Sequence, residues 1–266
     1  MQTATVPGIV RFRDGKRVDA DDDLAREEPL EIRVRGRAIS VTMRTPGHDD
    51  ELAAGFLLTE GVVSRATDIL AIEPCEQNDE GNLVNVRLAP EVNVDFEKLS
   101  RHVFASSSCG LCGKATIESL RSMFPPVESK MQIAAATVLQ LPHAMRQSQP
   151  TFDKTGGLHA AALFDQSGKL LVLREDVGRH NAVDKVIGHA LLHSISLSNH
   201  ILLVSGRSSF EIMQKALAAR IPIVAAVSAP SSLAVEFARE NNQTLIGFLR
   251  EGRMNVYSHP QRIRFE

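Results

Sequence analysis

Two cysteines separated by two residues are the side chains of this sequence best suited to chemistry. Residues 105–114 read ASSSCGLCGK, and Cys109 and Cys112 form the pair. Thiols at this spacing can ligate a metal ion, cycle as a dithiol, or provide a nucleophilic thiolate with a second thiol beside it. Serine and glycine cannot pack a core, so residues 105–114 are predicted to form a mobile loop.

These chemistries make different demands on the rest of the chain. A zinc site needs four ligands, and the third cysteine is the distant Cys75, so zinc would also require a histidine. A thioredoxin-type dithiol is expected where a buried strand enters a helix, whereas here serines precede the pair. Lys114 and the start of the following helix add positive potential, which favours a thiolate that attacks or carries sulfur. Two unreactive thiols are the remaining alternative.

Two similar turns provide a second group of candidate residues. Residues 204–209 read VSGRSS and residues 227–232 read VSAPSS. Each turn opens a helix directly after a predicted parallel strand, at the sheet edge where ligands bind in open α/β folds. Arg207 adds a cation to the first turn. Ordinary helix capping is the alternative, because Ser208 and Glu211 have the spacing of a capping box.

Two further polar segments allow both a structural and a functional interpretation. Residues 174–185 read REDVGRHNAVDK, in which Asp176 can cap a helix and His180 and Asp184 lie one turn apart. This pattern fits a solvent-exposed helix start, or a helix that presents Arg179 and His180 to a ligand. Residues 247–255 read GFLREGRMN, and their arginines either bind a diphosphate or a guanine edge or lie on the surface.

Hydrophobic periodicity predicts an α/β protein whose N-terminal part is α+β. Alternating apolar residues after Pro29 predict a hairpin, and a helix capped by Asp49 follows, with two more strands after it. Strands and helices alternate later in the chain, which is typical of right-handed parallel crossovers. The predicted parts are a poorly ordered tail (1–28), a small α+β domain (29–104), the cysteine loop (105–114) and an α/β domain (115–266).

Composition excludes several classes of protein. The 266 residues include 30 basic and 32 acidic side chains, and a net charge of −2 argues against a broad nucleic-acid or anionic membrane surface. The most apolar stretch, residues 221–230, is too short to span a bilayer. Three cysteines do not make a disulfide framework, and the N-terminal residues do not resemble a signal peptide. A soluble cytoplasmic protein is expected.

Six motifs, in this order, resemble those of the FdhD (also NarQ) family, sulfurtransferases that serve formate dehydrogenase. They are SSCGLCG (107–113), TGGLHAA (155–161), DVGRHNAVDK (176–185), SGR (205–207), APSS (229–232) and the segment 248–255. The resemblance covers nearly all of the chain after the tail. Together these motifs are far more specific than a single Cys-x-x-Cys.

The resemblance implies a sulfur carrier, with Cys109 holding a persulfide and Cys112 as its partner in the loop. A cysteine desulfurase would supply the sulfur, which would pass to the molybdenum of the bis-molybdopterin guanine dinucleotide cofactor before its insertion into formate dehydrogenase. GDP would mimic one end of that cofactor. The residues expected to bind the cofactor are Phe248, Leu249, Arg250, Glu251, Gly252 and Arg253, together with Arg207 and Ser208 of the first turn.

The resemblance further implies a homodimer and a cytidine-deaminase-like, three-layer α/β second domain. It does not bring the zinc of the deaminases, because those enzymes need His-x-Glu and here Ala160 and Ala161 follow His159. No metal is therefore expected. The alternative function is a non-catalytic chaperone that binds the guanine dinucleotide cofactor.

Overall fold

The computed structural model describes residues 2–75, 81–96, 99, 123–250 and 252–265. Cys109, Cys112 and Glu251 lie outside the described residues. The helices are α1 (Asp49–Thr59), α2 (Ala135–Gln147), α3 (Pro150–Thr155), α4 (Arg179–Leu192), α5 (Phe210–Ala218) and α6 (Ser232–Glu240). The strands of the N-terminal part are β1 (Thr3–Arg13), β2 (Lys16–Ala25), β3 (Glu28–Val34), β4 (Arg37–Arg44), β5 (Ile69–Pro74) and β6 (Leu83–Leu88). The later strands are β7 (Ile133–Ala134), β8 (His159–Phe164), β9 (Leu170–Asp176), β10 (Ile201–Val204), β11 (Ile223–Ala226), β12 (Thr244–Arg250), β13 (Arg253–Ser258) and β14 (Ile263–Arg264).

The first residues form an antiparallel hairpin in place of the predicted poorly ordered tail. Strands β1 and β2 pair from Thr3 opposite Ala25 to Arg13 opposite Lys16. The turn between them is Asp14-Gly15, and both residues have positive φ, as a tight two-residue hairpin turn requires. The Thr151 hydroxyl donates to Oε1 of Gln2 at 2.7 Å and fixes the base of the hairpin.

A four-stranded sheet in the order β4-β3-β6-β5 follows the hairpin. Its buried side chains alternate along β3, with Leu30, Ile32 and Val34 inside, as the period-two pattern predicts. They pack against Leu52 and Leu57 of α1. The predicted helix is present as α1, but its N-cap residue is His48, and the Asp49 carboxylate pairs with Arg44 at 2.9 Å instead of capping the helix.

The main sheet has six strands in the order β13-β12-β11-β10-β8-β9. Strands β10, β11 and β12 are parallel, as predicted, and β8, β9 and β13 are antiparallel to their neighbours. Leu202 and Val204 of β10 face a core shared with α4, α5 and α6, whereas Ile201 and Leu203 face α2. The prediction of an α/β protein is confirmed.

Helices α1 and α4 bring the two sheets together at a glycine contact. A Cβ atom on Gly55 would overlap the backbone oxygen of Asp184, and one on Gly188 would overlap that of Glu51. Each helix therefore has a glycine where the backbone of the other passes. This close approach holds the N-terminal sheet in a fixed position relative to the main sheet.

We predict that Gly188→Ala destabilises the protein by about 3 kcal/mol, because the added methyl group forces two backbones apart. The measurement is the free energy of unfolding from urea titrations. Gly157→Ala is the matched control, since the nearest atom to its new Cβ is the Cβ of Ala25 at 3.6 Å. It should change stability by less than about 1 kcal/mol. Equal urea midpoints for Gly188→Ala and the wild type would contradict the contact.

Candidate functional site

The two VSxxSS turns lie side by side at the edge of the main sheet where β10 and β11 end. The Ser208 N–H donates to the carbonyl of Ala229 at 3.2 Å, and the Ser231 N–H donates to the carbonyl of Ser208 at 3.0 Å. These bonds continue the parallel pairing of the two strands beyond their ends. The sequence prediction that both turns share one edge is confirmed.

The predicted capping box at Ser208 and Glu211 is wrong. Helix α5 begins at Phe210, with Ser209 as its N-cap residue. Ser208 is fully buried between the turns, and Glu211 lies beside His180, with 2.9 Å between Oε2 and Nε2. In the second turn the capping interpretation holds, because the Ser231 hydroxyl accepts from the N–H of Ala234 at 3.2 Å.

The end of β12 lies against the second turn. The Phe248 N–H donates to the carbonyl of Ser228 at 3.0 Å. A Cβ atom on Gly247 would lie 2.8 Å from Cδ of Pro230, so only glycine allows this approach. The structure thus brings the predicted cofactor-binding segment next to the turns.

Side chains within this segment differ in exposure. Arg250, Gly252 and Arg253 are exposed, and Arg207 of the first turn is exposed as well. Leu249 is fully buried in the core, so its side chain is not available to a ligand. Phe248 is partly exposed and has a positive φ of 51°, a conformation uncommon for a non-glycine residue.

His159 and Arg179 reach the same edge from the other side of the first turn. A Cβ atom on Gly206 would lie 3.4 Å from Nδ1 of His159 and 3.9 Å from Cδ of Arg179. Burial lowers the pKa of His159, and the charges of Arg179 and His180 lower it further, against the opposing effect of Asp176. The sequence alone did not single out His159, which has no charged residue beside it in the chain.

Histidine 180 and Asp184 occupy one face of α4, as their spacing predicts, and both face α5. His180 lies beside Glu211, and this contact is the main reason that the pKa of the Glu211 carboxyl is lowered. Asp184 binds Lys215, with 2.8 Å between Oδ2 and Nζ. These two contacts, one helical turn apart, therefore fix α5, and the turn before it, against α4.

Segment 174–185 anchors the site in the fold and is not a solvent-exposed helix start. Lys185 and Asp176 are both fully buried and pair at 2.7 Å. Thr45, just after β4, accepts from Nζ of Lys185 at 2.8 Å through its carbonyl. Its N–H donates to Asp176 at 3.1 Å, and the Gly178 N–H donates to the other carboxylate oxygen at 2.8 Å. The start of α4 is thereby tied to the N-terminal sheet.

Lys185→Met should destabilise the protein by about 3–5 kcal/mol, because it leaves the buried Asp176 carboxylate without its cation. Urea unfolding at neutral pH measures the change. The matched control is Lys169→Met, at an exposed position in the β8–β9 turn, which should stay within about 0.5 kcal/mol of the wild type. A loss below 1 kcal/mol for Lys185→Met would show that the pair is not the anchor inferred above.

Neither a metal centre nor a membrane span is found in the part of the chain that the structure describes. No three His, Cys, Asp or Glu side chains of that part are placed to hold a metal ion. None of its helices is long and apolar enough to cross a bilayer. The zinc alternative that used Cys75 with the loop cysteines involves residues outside the described ranges.

A mixed six-stranded sheet packed against helices on both faces defines the class of this protein as α/β, and comparison with known proteins gives the family. The FdhD/NarQ family matches residues 25–264. The chain belongs to this family.

Relatives and a solved structure agree with that assignment. A sulfur carrier protein FdhD from Mycolicibacterium paratuberculosis is 49% identical over 99% of this chain and 100% of its own length. One from Streptomyces avermitilis is 50% identical over 96% of this chain and 94% of its own. The crystal structure of a candidate formate dehydrogenase accessory protein from Desulfotalea psychrophila is similar with a TM-score of 0.80 and 28% identity, covering 99% of this chain and 100% of that one.

Proposed function

We propose that this protein is a sulfurtransferase that carries persulfide sulfur for the maturation of formate dehydrogenase. The observation that carries the proposal is the match to sulfur carrier proteins at about half identity over nearly the whole chain. The sequence has the thiol pair that such a role needs, Cys109 and Cys112. The partners proposed are a cysteine desulfurase as donor and formate dehydrogenase as client, with the protein acting as a cytoplasmic homodimer.

Loading the carrier is a thiol–persulfide exchange. The Cys109 thiolate attacks the outer sulfur of the donor's persulfide, a new S–S bond forms on Cys109, and the donor leaves as a thiolate. Attack by Cys112 on the inner sulfur would instead form a disulfide and release hydrosulfide, so the two thiols must be kept apart while the carrier is loaded. The proposed acceptor of this sulfur is the molybdenum of the bis-molybdopterin guanine dinucleotide cofactor, which is the substrate.

The edge of the main sheet has the chemistry that a guanine dinucleotide requires. Arg207 is an exposed residue of the first turn, and the exposed Arg250 and Arg253 follow Phe248, which is bonded to the second turn, so their guanidinium groups can pair with a diphosphate at this edge. Helices α5 and α6 both begin there, and helix N-termini attract phosphate. Phe248, Glu251, Gly252 and Ser208 complete the proposed cofactor-binding set, with Leu249 supporting it from the core.

Cofactor chaperoning without sulfur transfer is the second candidate, favoured by the exposed arginines and the two helix N-termini at this edge. Cys109→Ser separates the two functions. We predict that it reduces activation of a co-expressed formate dehydrogenase at least 100-fold, because the persulfide has no sulfur to form on, while GDP binding stays within twofold of the wild type. Cys75→Ser is the matched control and should retain full activation. Full activation by Cys109→Ser would establish the chaperone instead.

For nucleotide binding, we predict that the double substitution Arg250→Ala and Arg253→Ala weakens the affinity for GDP more than tenfold, because two charge-assisted contacts to the ligand are lost. Isothermal titration calorimetry measures the dissociation constant. Arg264→Ala, on the exposed end of β14, is the control and should leave the constant unchanged. Unchanged affinity in the double variant would remove both arginines from the site.

A further inference from the structure

The N-terminal hairpin of β1 and β2 carries a concentration of exposed apolar side chains. Eleven large apolar residues are exposed in the part of the chain that the structure describes, and five of them lie in this hairpin: Val6, Val10, Phe12, Val18 and Leu24. Single exposed apolar residues scattered over a protein need no explanation, but a group of them on one element indicates a surface that another molecule covers.

Burial of the hairpin is limited to its base. Across residues 5–19 every side chain is exposed except that of Ile9, which is partly buried. At the base, Ala25 lies beside Gly157. A two-stranded sheet without further packing is at best marginally stable in water. The outer part of the hairpin is therefore expected to gain a further strand.

Strand β2 offers the open edge for such a strand. The hairpin is a two-stranded sheet, so the outer N–H and C=O groups of both strands face away from it. In β1, Pro7 has no N–H, and the pairing register shifts between Val6 and Ile9, which makes this edge a poor template. Strand β2 contains neither proline nor glycine over its ten residues. An added strand is thus expected on β2.

The charges of the hairpin are divided between its tip and its base. Residues 11–17 include four basic side chains and one acidic one, whereas residues 18–25 include four aspartates and no basic residue. Strand β2 therefore starts basic, with Lys16 and Arg17, and becomes acidic along its length. When two such strands run antiparallel about a two-fold axis, the basic start of each lies beside the acidic end of the other. The strand is complementary to a second copy of itself.

Ion pairs within the hairpin leave these charges accessible. Arg11 pairs with Asp22 at 3.0 Å, and Arg17 pairs with Asp19 at 3.4 Å. Each of the four side chains is at least 43% exposed. Because a carboxylate has two oxygens and can accept from more than one cation, a contact between two copies can add to these pairs without breaking them.

We propose that β2 is a dimer interface, in which β2 of one copy pairs antiparallel with β2 of a second copy and the two hairpins form one four-stranded sheet. The inference rests on the homodimer of the proposed function and gives that homodimer a surface. Val18 and Leu24 lie on the same face of β2, and in this sheet they gain neighbours across the interface. The sheet then ends on the two copies of β1, where Pro7 opposes the addition of further strands.

Exchange of charge along β2, followed by sedimentation velocity, tests the interface. Lys16→Glu with Arg17→Glu makes both ends of the strand acidic, and Asp21→Lys with Asp23→Lys makes both ends basic. Each double variant should have a dimer dissociation constant at least tenfold above that of the wild type, because like charges then meet across the axis. An equimolar mixture of the two variants should form a heterodimer, since each end now meets its opposite.

Two further measurements guard against a variant that fails to fold. Lys169→Glu with Arg264→Glu makes the same change of charge at exposed positions outside the hairpin, and this control should dimerise as the wild type does. In the wild type itself, the amides of residues 16–25 should exchange hydrogen more slowly when the protein concentration rises above the dissociation constant. Unchanged exchange in β2 across that range would overturn the interface without any variant.

The outcomes separate this inference from the proposed function. If both double variants dimerise as tightly as the wild type, or if their mixture forms no heterodimer, the β2 interface is overturned while a homodimer through another surface stands. If the wild type is a monomer at every concentration tested, the interface and the homodimer are both overturned. In each case sulfur loading on Cys109 remains an independent test of the carrier.

Discussion

The buried ion pair between Lys185 and Asp176 is the interaction on which the arrangement of this protein depends. Two charges removed from water are tolerated only when each is paired and hydrogen-bonded, and Thr45 meets that condition with its own backbone N–H and carbonyl. The pair therefore forms only when the end of β4 lies against the end of β9 and the start of α4. The N-terminal sheet and the main sheet are locked together at the point where the candidate site begins.

The same ion pair positions the polar side chains at the edge of the main sheet. Because α4 starts directly after Gly178, whose N–H is bonded to Asp176, the direction of Arg179 and His180 follows from the buried pair. The Asp184–Lys215 ion pair and the contact of His180 with Glu211 then hold α5 against α4, and α5 holds the turn that contains Ser208. The edge is thus built on packed elements, which suits a site that must keep donors in place for a charged ligand. In the function proposed above, the cysteine loop carries the sulfur and this edge binds the nucleotide.

Much of the fold could be predicted because apolar residues recur at regular spacings along its strands. Strand β3 alternates, and the parallel strands are short apolar runs between turns. The N-terminal hairpin was not predicted because its many charged residues obscure the alternation of apolar and polar side chains, although Asp14-Gly15 is a known turn signal.

In the candidate site, the two turns could be predicted from their repeated sequence. The roles of Asp176 and Lys185 could not be predicted in this way. A polar segment with helical spacing has the same sequence pattern whether it faces water or another sheet. The partner Thr45 is also about 130 residues away in the chain.

The measurement that tests the central claim most directly is intact-protein mass spectrometry after incubation with a cysteine desulfurase and cysteine. The wild type, Cys109→Ser and Cys112→Ser are compared, each before and after reduction. A sulfur carrier predicts a gain of about one sulfur atom that requires Cys109, persists in Cys112→Ser and disappears on reduction. An adduct of equal abundance on Cys109→Ser, or none on the wild type while GDP still binds, would contradict the account.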